Sequence, residues 1–278
     1  ACGASFMLYL HRFTWNIVAA ILTDKKEMGD QVLSDETVTW VGGMFNITYS
    51  LGQIPGGIMA DFFGPHIYLS SSIALWSISL ALIGVSVAVG WLVFARLAFG
   101  AAQSGCYPAL SRVSHSWFER DKRTTLQGIV ATLFGRGGGA VAPGLFTTVL
   151  IGICGFEWQT SLWVMAFVGL FFAALFFIYF RNNPESDPNC NEEEVALLKA
   201  GKNPNAAEDR NILPAKKALS HRGMQFFMIQ QFFNAGADNF FGLLTGVYFV
   251  QVLGVNLSEA AWMIALPLLG GAIGGVVG

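Results

Sequence analysis

Stretches of about 20 uncharged, mostly apolar residues recur along this chain, and no other feature restricts its fold as strongly. They run Thr37–Ala60, Ile67–Ala95, Gly137–Phe156, Trp158–Phe180, Asn239–Ser258 and Ala260–Gly278. A helix of that length crosses the hydrocarbon core of a bilayer. Helix is the only reading that keeps every backbone amide bonded in lipid, because the ten-residue alternation of barrel strands is absent. The fold expected is therefore an all-α membrane protein. Charged residues make up only 12% of the 278 and hydrophobic ones 54%, too little charge to cover a water-facing surface. The net charge of −2 argues against a nucleic-acid partner, which would require a basic face. Cys2, Cys106, Cys154 and Cys190 share no metal-type spacing, so neither a metal site nor a disulfide framework is expected.

Splitting the long run Ile67–Ala95 at Gly84–Gly90 gives eight predicted spans: 6–23, 38–60, 67–87, 90–115, 124–150, 157–180, 223–250 and 259–278. The chain opens close to an apolar helix and stops inside another, which reads as a fragment of a longer protein. Basic residues set the orientation. Arg112, Arg120, Lys122 and Arg123 lie between helices four and five, and seven more lie from Arg181 to Arg222, whereas Lys25 and Lys26 stand alone on the other side. The N-terminus and the 181–222 segment are thus expected on the cytoplasmic side of a plasma membrane. Residues 181–222 are polar, contain Pro184, Pro188, Pro204 and Pro214, and allow a short amphipathic helix over Glu192–Lys199. The expected organisation is a six-helix bundle over 1–180, a linker over 181–222, and the first two helices of a second bundle over 223–278.

Between helices two and three the sequence runs from Gly52 through Gly56, Gly57, Asp61 and Gly64 to Pro65-His66. Small residues four apart let helices approach closely, and Asp61 can cap a helix or pair with a basic residue. This segment resembles the G-x-x-x-D-x-x-G signature of the major facilitator superfamily, with Gly57, Asp61 and Gly64 at its fixed positions. The resemblance implies twelve helices in two bundles, of which about eight are present, and a gating role for Asp61. The basic pair that usually ends the signature is Pro65-His66 here. Gly270-Gly271 and Gly274-Gly275 near the end of the chain echo the approach to Asp61, as an internal repeat would.

Charges inside spans are costly in hydrocarbon and mark cavities. Arg12 lies in helix one after Tyr9 and His11, Arg96 in helix four ahead of Gln103 and Pro108, and Arg136 among the glycines of helix five. Each either faces a cavity or snorkels to a headgroup. Tyr-x-x-Arg in helix one, Arg-x-x-x-Gly in helix four and Gln-x-Pro-Gly-Gly in helix two resemble the anion:cation symporter family, carriers of sugar acids and related organic anions. That resemblance implies a small organic anion substrate, with Arg12 and Arg96 contacting it and Tyr9, Tyr49 and the Arg136 position lining the pocket. Asn234 in helix seven is a further candidate lining residue.

Two departures bear on coupling. His11 and Gln103 stand where the family carries carboxylates, so a proton would have to travel through His11, whose ordinary pKa is near 6.5, or through Asp238. His11 can equally be a neutral hydrogen-bonder in a helix interface, and Asp238 a solvated residue at a helix break. No Ser/His/Asp or Cys/His set converges, so no enzyme and no cofactor are expected. The function expected is a monomeric secondary transporter of small organic anions, coupled to protons or another cation. An organophosphate–phosphate type of exchanger and a non-transporting anion receptor are the alternatives. A third arginine at 136 further suggests a substrate with more than one acidic group.

Overall fold

The computed structural model describes residues 1–85, 87–188, 190, 191, 217 and 220–277, and among these every regular element is helical. The first helix, α1, covers Cys2–Thr23. After short turns at Lys25–Met28 and Gly29–Gln31 comes one helical stretch, Asp35–Ile83, capped by the Ser34 hydroxyl accepting from the Thr37 amide at 3.2 Å. Its 49 residues amount to roughly 74 Å of helix, more than twice the hydrocarbon thickness. It is in fact two elements, α2 (35–63) and α3 (65–83), joined at Gly64, whose φ of 78° and ψ of 153° break the helix. Only glycine adopts that conformation without strain.

Next comes α4, made of Val89–Gln103 and, after a turn at Ser104-Gly105, Cys106–Trp117. The fifth helix, α5, starts at Arg120–Gly128 and passes through π-helical Ile129–Arg136, α-helical Gly137–Gly144 and π-helical Leu145–Ile153. Then follow α6 (Trp158–Tyr179), α7 (Arg222–Val247, with a π-helical end at Tyr248–Val252) and α8 (Leu257–Val277). The predicted amphipathic helix over 192–199 lies outside the described residues.

Among the described residues three helical stretches, Asp35–Ile83, Asp121–Ile153 and Trp158–Tyr179, are long and apolar enough to cross a membrane. Helix α1 falls short of the others in apolarity because it carries His11, Arg12 and Asn16. Helix α4 falls short in length because its turn leaves pieces of 15 and 12 residues. In both cases the departure occurs where polar side chains gather.

Helix pairing follows from small residues and interior hydrogen bonds, as it must where lipid competes equally for apolar side chains. Helices α2 and α4 run side by side: the Thr48 hydroxyl donates to the Leu97 carbonyl at 2.8 Å, and Gly56 lies against Gly105 so tightly that a Cβ on it would stand 2.6 Å from the Gly105 Cα. Helix α3 packs on α6, where the Trp163 indole donates to the Ala81 carbonyl at 3.2 Å. Helix α5 lies between α1 and α8, with Gly138 against the Phe6 backbone and Gly139 against Phe13 and Leu268. Trp76, Phe99 and Phe146 are the largest fully buried side chains. By contrast Leu51, Ile54, Ile58 and Phe62 are all at least 64% exposed, an apolar outer stripe at helical spacing along α2.

Candidate functional site

Two arginines from different helices meet over one aromatic ring. Arg12 of α1 and Arg96 of α4 each place a guanidinium carbon 4.9 Å from the centroid of Phe45 in α2. Arg12 also lies 4.4 Å from the Tyr49 ring and 5.3 Å from Tyr9, while Arg96 lies 4.5 Å from Trp15 and 5.7 Å from Phe99. Ring faces attract cations, more so where water is excluded. The helices deliver these groups by spacing: Phe45 and Tyr49 are four apart and stack at 5.2 Å, as neighbours on one helix face do.

Among the described residues neither arginine has a carboxylate partner. Arg12 Nε donates to Gln103 Oε1 at 3.1 Å, and Gln103 Nε2 donates in turn to the Leu8 carbonyl at 3.1 Å. Arg96 Nη2 donates to the Gly42 carbonyl at 3.1 Å. Arg12 Nη2, Arg96 Nε and Arg96 Nη1 are shut from solvent and make no hydrogen bond of normal geometry among the described residues, and the same holds for Asn16 Nδ2. Leaving such a donor unmade costs about 1–3 kcal/mol, more when it is charged. Every one of these orphans is a donor, so the arrangement suits a guest rich in acceptor oxygens and negative in charge.

The sequence candidates divide by where the fold puts them. Arg12, Arg96, Gln103, Tyr9 and Tyr49 come together, and Tyr107 joins them, edge-on to Tyr9 at 6.5 Å and sharing a 3.1 Å hydrogen bond with Ser5. His11 points the other way, towards α3 and α6. Its Nδ1 accepts from the Trp76 indole at 3.1 Å, and Gly169 packs on the ring. Its Nε2 is turned to the Met165 main chain without a hydrogen bond of normal geometry. An imidazole accepting at Nδ1 is neutral, and adding a proton there would displace the indole. Arg136 sits half-buried on the seam between α5 and α8, where a Cβ on Gly271 would be 2.8 Å from its Cδ. Asn234 is exposed on α7, outside this cluster, and the Asp238 side chain lies outside the described residues.

Asp61 forms an ion pair with Arg112 of α4, and the two side chains are 70% and 42% exposed. Gly57 lies against Pro108. Where the signature usually ends in a basic pair, His66 donates from Nε2 to the Phe177 carbonyl and from its backbone amide to Asn182 Oδ1, both at 2.7 Å. The Gly64 bend is thereby fastened to the end of α6. Asn16 and Phe45 escaped the sequence reading. Asn16 was detectable as the residue four after Arg12, hence on its face. Phe45 looked like any other lipid-facing aromatic.

Apolar helices of span length, two arginines with nitrogens shut among them and a glycine-bent acidic signature define an all-α membrane protein of the major-facilitator type. Residues 2–278 match the Major Facilitator Superfamily, and the chain belongs to that family. It is 25% identical, over its whole length and 62% of the other, to a probable sulfoacetate transporter of Cupriavidus necator. A probable galactarate/D-glucarate transporter of Bacillus subtilis is 27% identical over 92% of the chain and 58% of its own length. An ascorbate transporter of Arabidopsis thaliana chloroplasts is 28% identical over 96% and 48%. The chain thus spans less than two thirds of these relatives. The same fold is seen in a bacterial homolog to the human lysosomal transporter Spinster, solved inward-facing and unoccupied. The TM-score is 0.61 at 20% identity, covering 99% of this chain and 59% of that one.

Proposed function

We propose that the whole protein is a secondary transporter of small organic anions, in which Arg12 and Arg96 hold the substrate and alternating access moves it. The observation that carries this reading is the pair of guanidinium groups with buried, unmade hydrogen bonds and no acidic partner among the described residues. Neutral donors alone would suit a sugar, but two cations that no described residue neutralises favour an anion. The names of the relatives support it, since sulfoacetate, galactarate, glucarate and ascorbate are all small anions. Tyr9 and Tyr49 complete the wall around Arg12. Asp61–Arg112 and the Gly64 bend serve as the gate, on the cytoplasmic side with the N-terminus and the 181–222 linker. The protein works as a monomer in a plasma membrane, carries out no bond chemistry, and has its second bundle begin at α7.

Uptake of labelled organic anions by the full-length protein in proteoliposomes tests this. Saturable uptake, abolished in Arg96→Gln, is the expected result. Binding with no translocation would make the protein an anion receptor instead. Coupling to a proton or another cation is the mode expected from the sequence, and exchange of one anion for another is the alternative.

A further inference from the structure

Phe45 is the one ring that both arginines share. Each guanidinium carbon lies 4.9 Å from its centroid, and the residue is only 4% exposed. Each cation has a second ring beside the shared one, Tyr49 for Arg12 at 4.4 Å and Trp15 for Arg96 at 4.5 Å. Phe45 stacks on Tyr49 at 5.2 Å and tilts against Phe99 at 5.7 Å. Its backbone is held as closely as its ring. Behind it α4 comes so near that a Cβ on Gly100 would run into the Phe45 carbonyl. The Thr48 hydroxyl reaches that carbonyl at 3.3 Å and the Leu97 carbonyl of α4 at 2.8 Å. One turn back, the Gly42 carbonyl accepts from Arg96 Nη2 at 3.1 Å. All of these contacts lie within α1, α2 and α4.

What a ring offers a cation differs from what an oxygen offers. A carboxylate or carbonyl holds a guanidinium by accepting its N–H donors, and a donor spent on the protein is lost to a ligand. A ring holds it through the negative potential of its face, which spends none of them. The two guanidinium carbons are at most twice 4.9 Å apart, so the groups repel each other in an interior of low dielectric. A ring face attractive to both offsets part of that repulsion. We infer that Phe45 is a positioning residue of the anion site. Its ring fixes where both guanidinium groups stand, leaves their donors for cargo, and so sets the affinity for an anion that it does not itself touch. This rests on the carrier reading above.

The test replaces Phe45 of the full-length protein by phenylalanine carrying one, two and three ring fluorines. Fluorine drains the negative face of the ring stepwise while nearly keeping its shape. Binding of sulfoacetate and of D-glucarate to the detergent-solubilised protein is measured for each. Affinity should fall with every fluorine, by about tenfold in all at three. A residue that merely packs would respond to shape and not to the number of fluorines. The same series at Phe99, which lies 5.7 Å from Arg96 and under no second cation among the described residues, should lose less than about threefold. At Phe146, fully buried and with no described cation over its ring, the series should be flat. Phe45→Leu should lose at least as much as three fluorines do, and if it does not fold, the fluorine series decides alone. A flat series at Phe45 with wild-type binding intact overturns the inference and leaves the carrier reading standing. A rise in affinity does the same, since the ring would then compete with cargo for the cations. An equal fall at Phe146 overturns it too, as an effect of any fluorinated core ring. A wild type that binds neither anion removes the carrier reading and this inference together.

Discussion

Arg96 and Arg112 belong to the same helix, α4, yet the fold treats them in opposite ways. Arg112 stands 42% exposed beside an acid, Asp61, that is itself 70% exposed. Arg96 is 2% exposed, leans on Trp15, Phe45 and Phe99, and keeps two of its three nitrogens without an acceptor. Evenly shared stability would call for the reverse, with the acid placed where water is absent. On the carrier reading proposed above, the difference separates a cation that serves the gate from one held in reserve for a ligand. An exposed pair forms and breaks at little cost, as a gate requires. A buried unpaired guanidinium is a standing cost that only a ligand removes.

The contrast is open to direct attack, and the largest effect should come from Arg96. Arg96→Gln should weaken anion binding by about 2–5 kcal/mol, at least thirtyfold or so, measured by ligand-induced thermal stabilisation. The ligand-free variant should melt at or above the wild-type temperature, because an uncompensated charge has been removed. A lower melting temperature would make Arg96 a structural residue and erase the contrast.

Trp76→Phe probes the same interior with a neutral pair. It should cost about 1–3 kcal/mol of stability, since the His11 Nδ1 acceptor would be left unmade between α1 and α3. Anion affinity should hold, because His11 faces away from the guanidinium groups, and a matching loss of affinity would show the two faces of α1 to be coupled.

At the other end of the bundle, Gly64→Ala should cost about 1–3 kcal/mol through its backbone conformation alone. It would also crowd the Asn182 amide. An unfolding midpoint equal to wild type would mean that the bend can be recovered elsewhere in Asp35–Ile83.

The smallest effect should be that of Asp61→Asn, about 0–1 kcal/mol in stability and vanishing in molar salt. Its consequence should appear in transport rate. A large, salt-independent loss of stability would place the exposed pair in the same class as the buried cluster.

Much of this was legible in the sequence, for physical reasons that differ from part to part. Apolar runs of span length identified the helices because backbone in lipid has so few options. Predicted spans 38–60 and 67–87 fall on α2 and α3 with Gly64 between them, and 157–180 falls on α6. Arg12, Arg96 and Gln103 stood out because charge and amide are rare in such runs. Their mutual contact did not, since α1 and α4 are far apart in sequence and the aromatic wall has no signature of its own. His11 could be read as proton carrier or interface residue from sequence alone. Its partner Trp76 lies 65 positions away, and no local pattern announces it. The chain of Gln103 contacts was equally silent, because a backbone carbonyl such as that of Leu8 is present at every residue.

The wide turns of α5 alter how this helix should be compared with any other. An α-helix advances about 100° per residue, and a π-helical turn takes in extra residues, so each such run shifts the facing of everything beyond it. Ile129–Arg136 and Leu145–Ile153 flank the glycines that α1 rests on. Removing one residue from the first run would tighten the helix and turn Arg136 and everything beyond it to a new facing. An insertion or deletion in that short interval is therefore a change of address. A relative lacking the widened turn would present a different residue to the α5–α8 seam, even where its letters align with these.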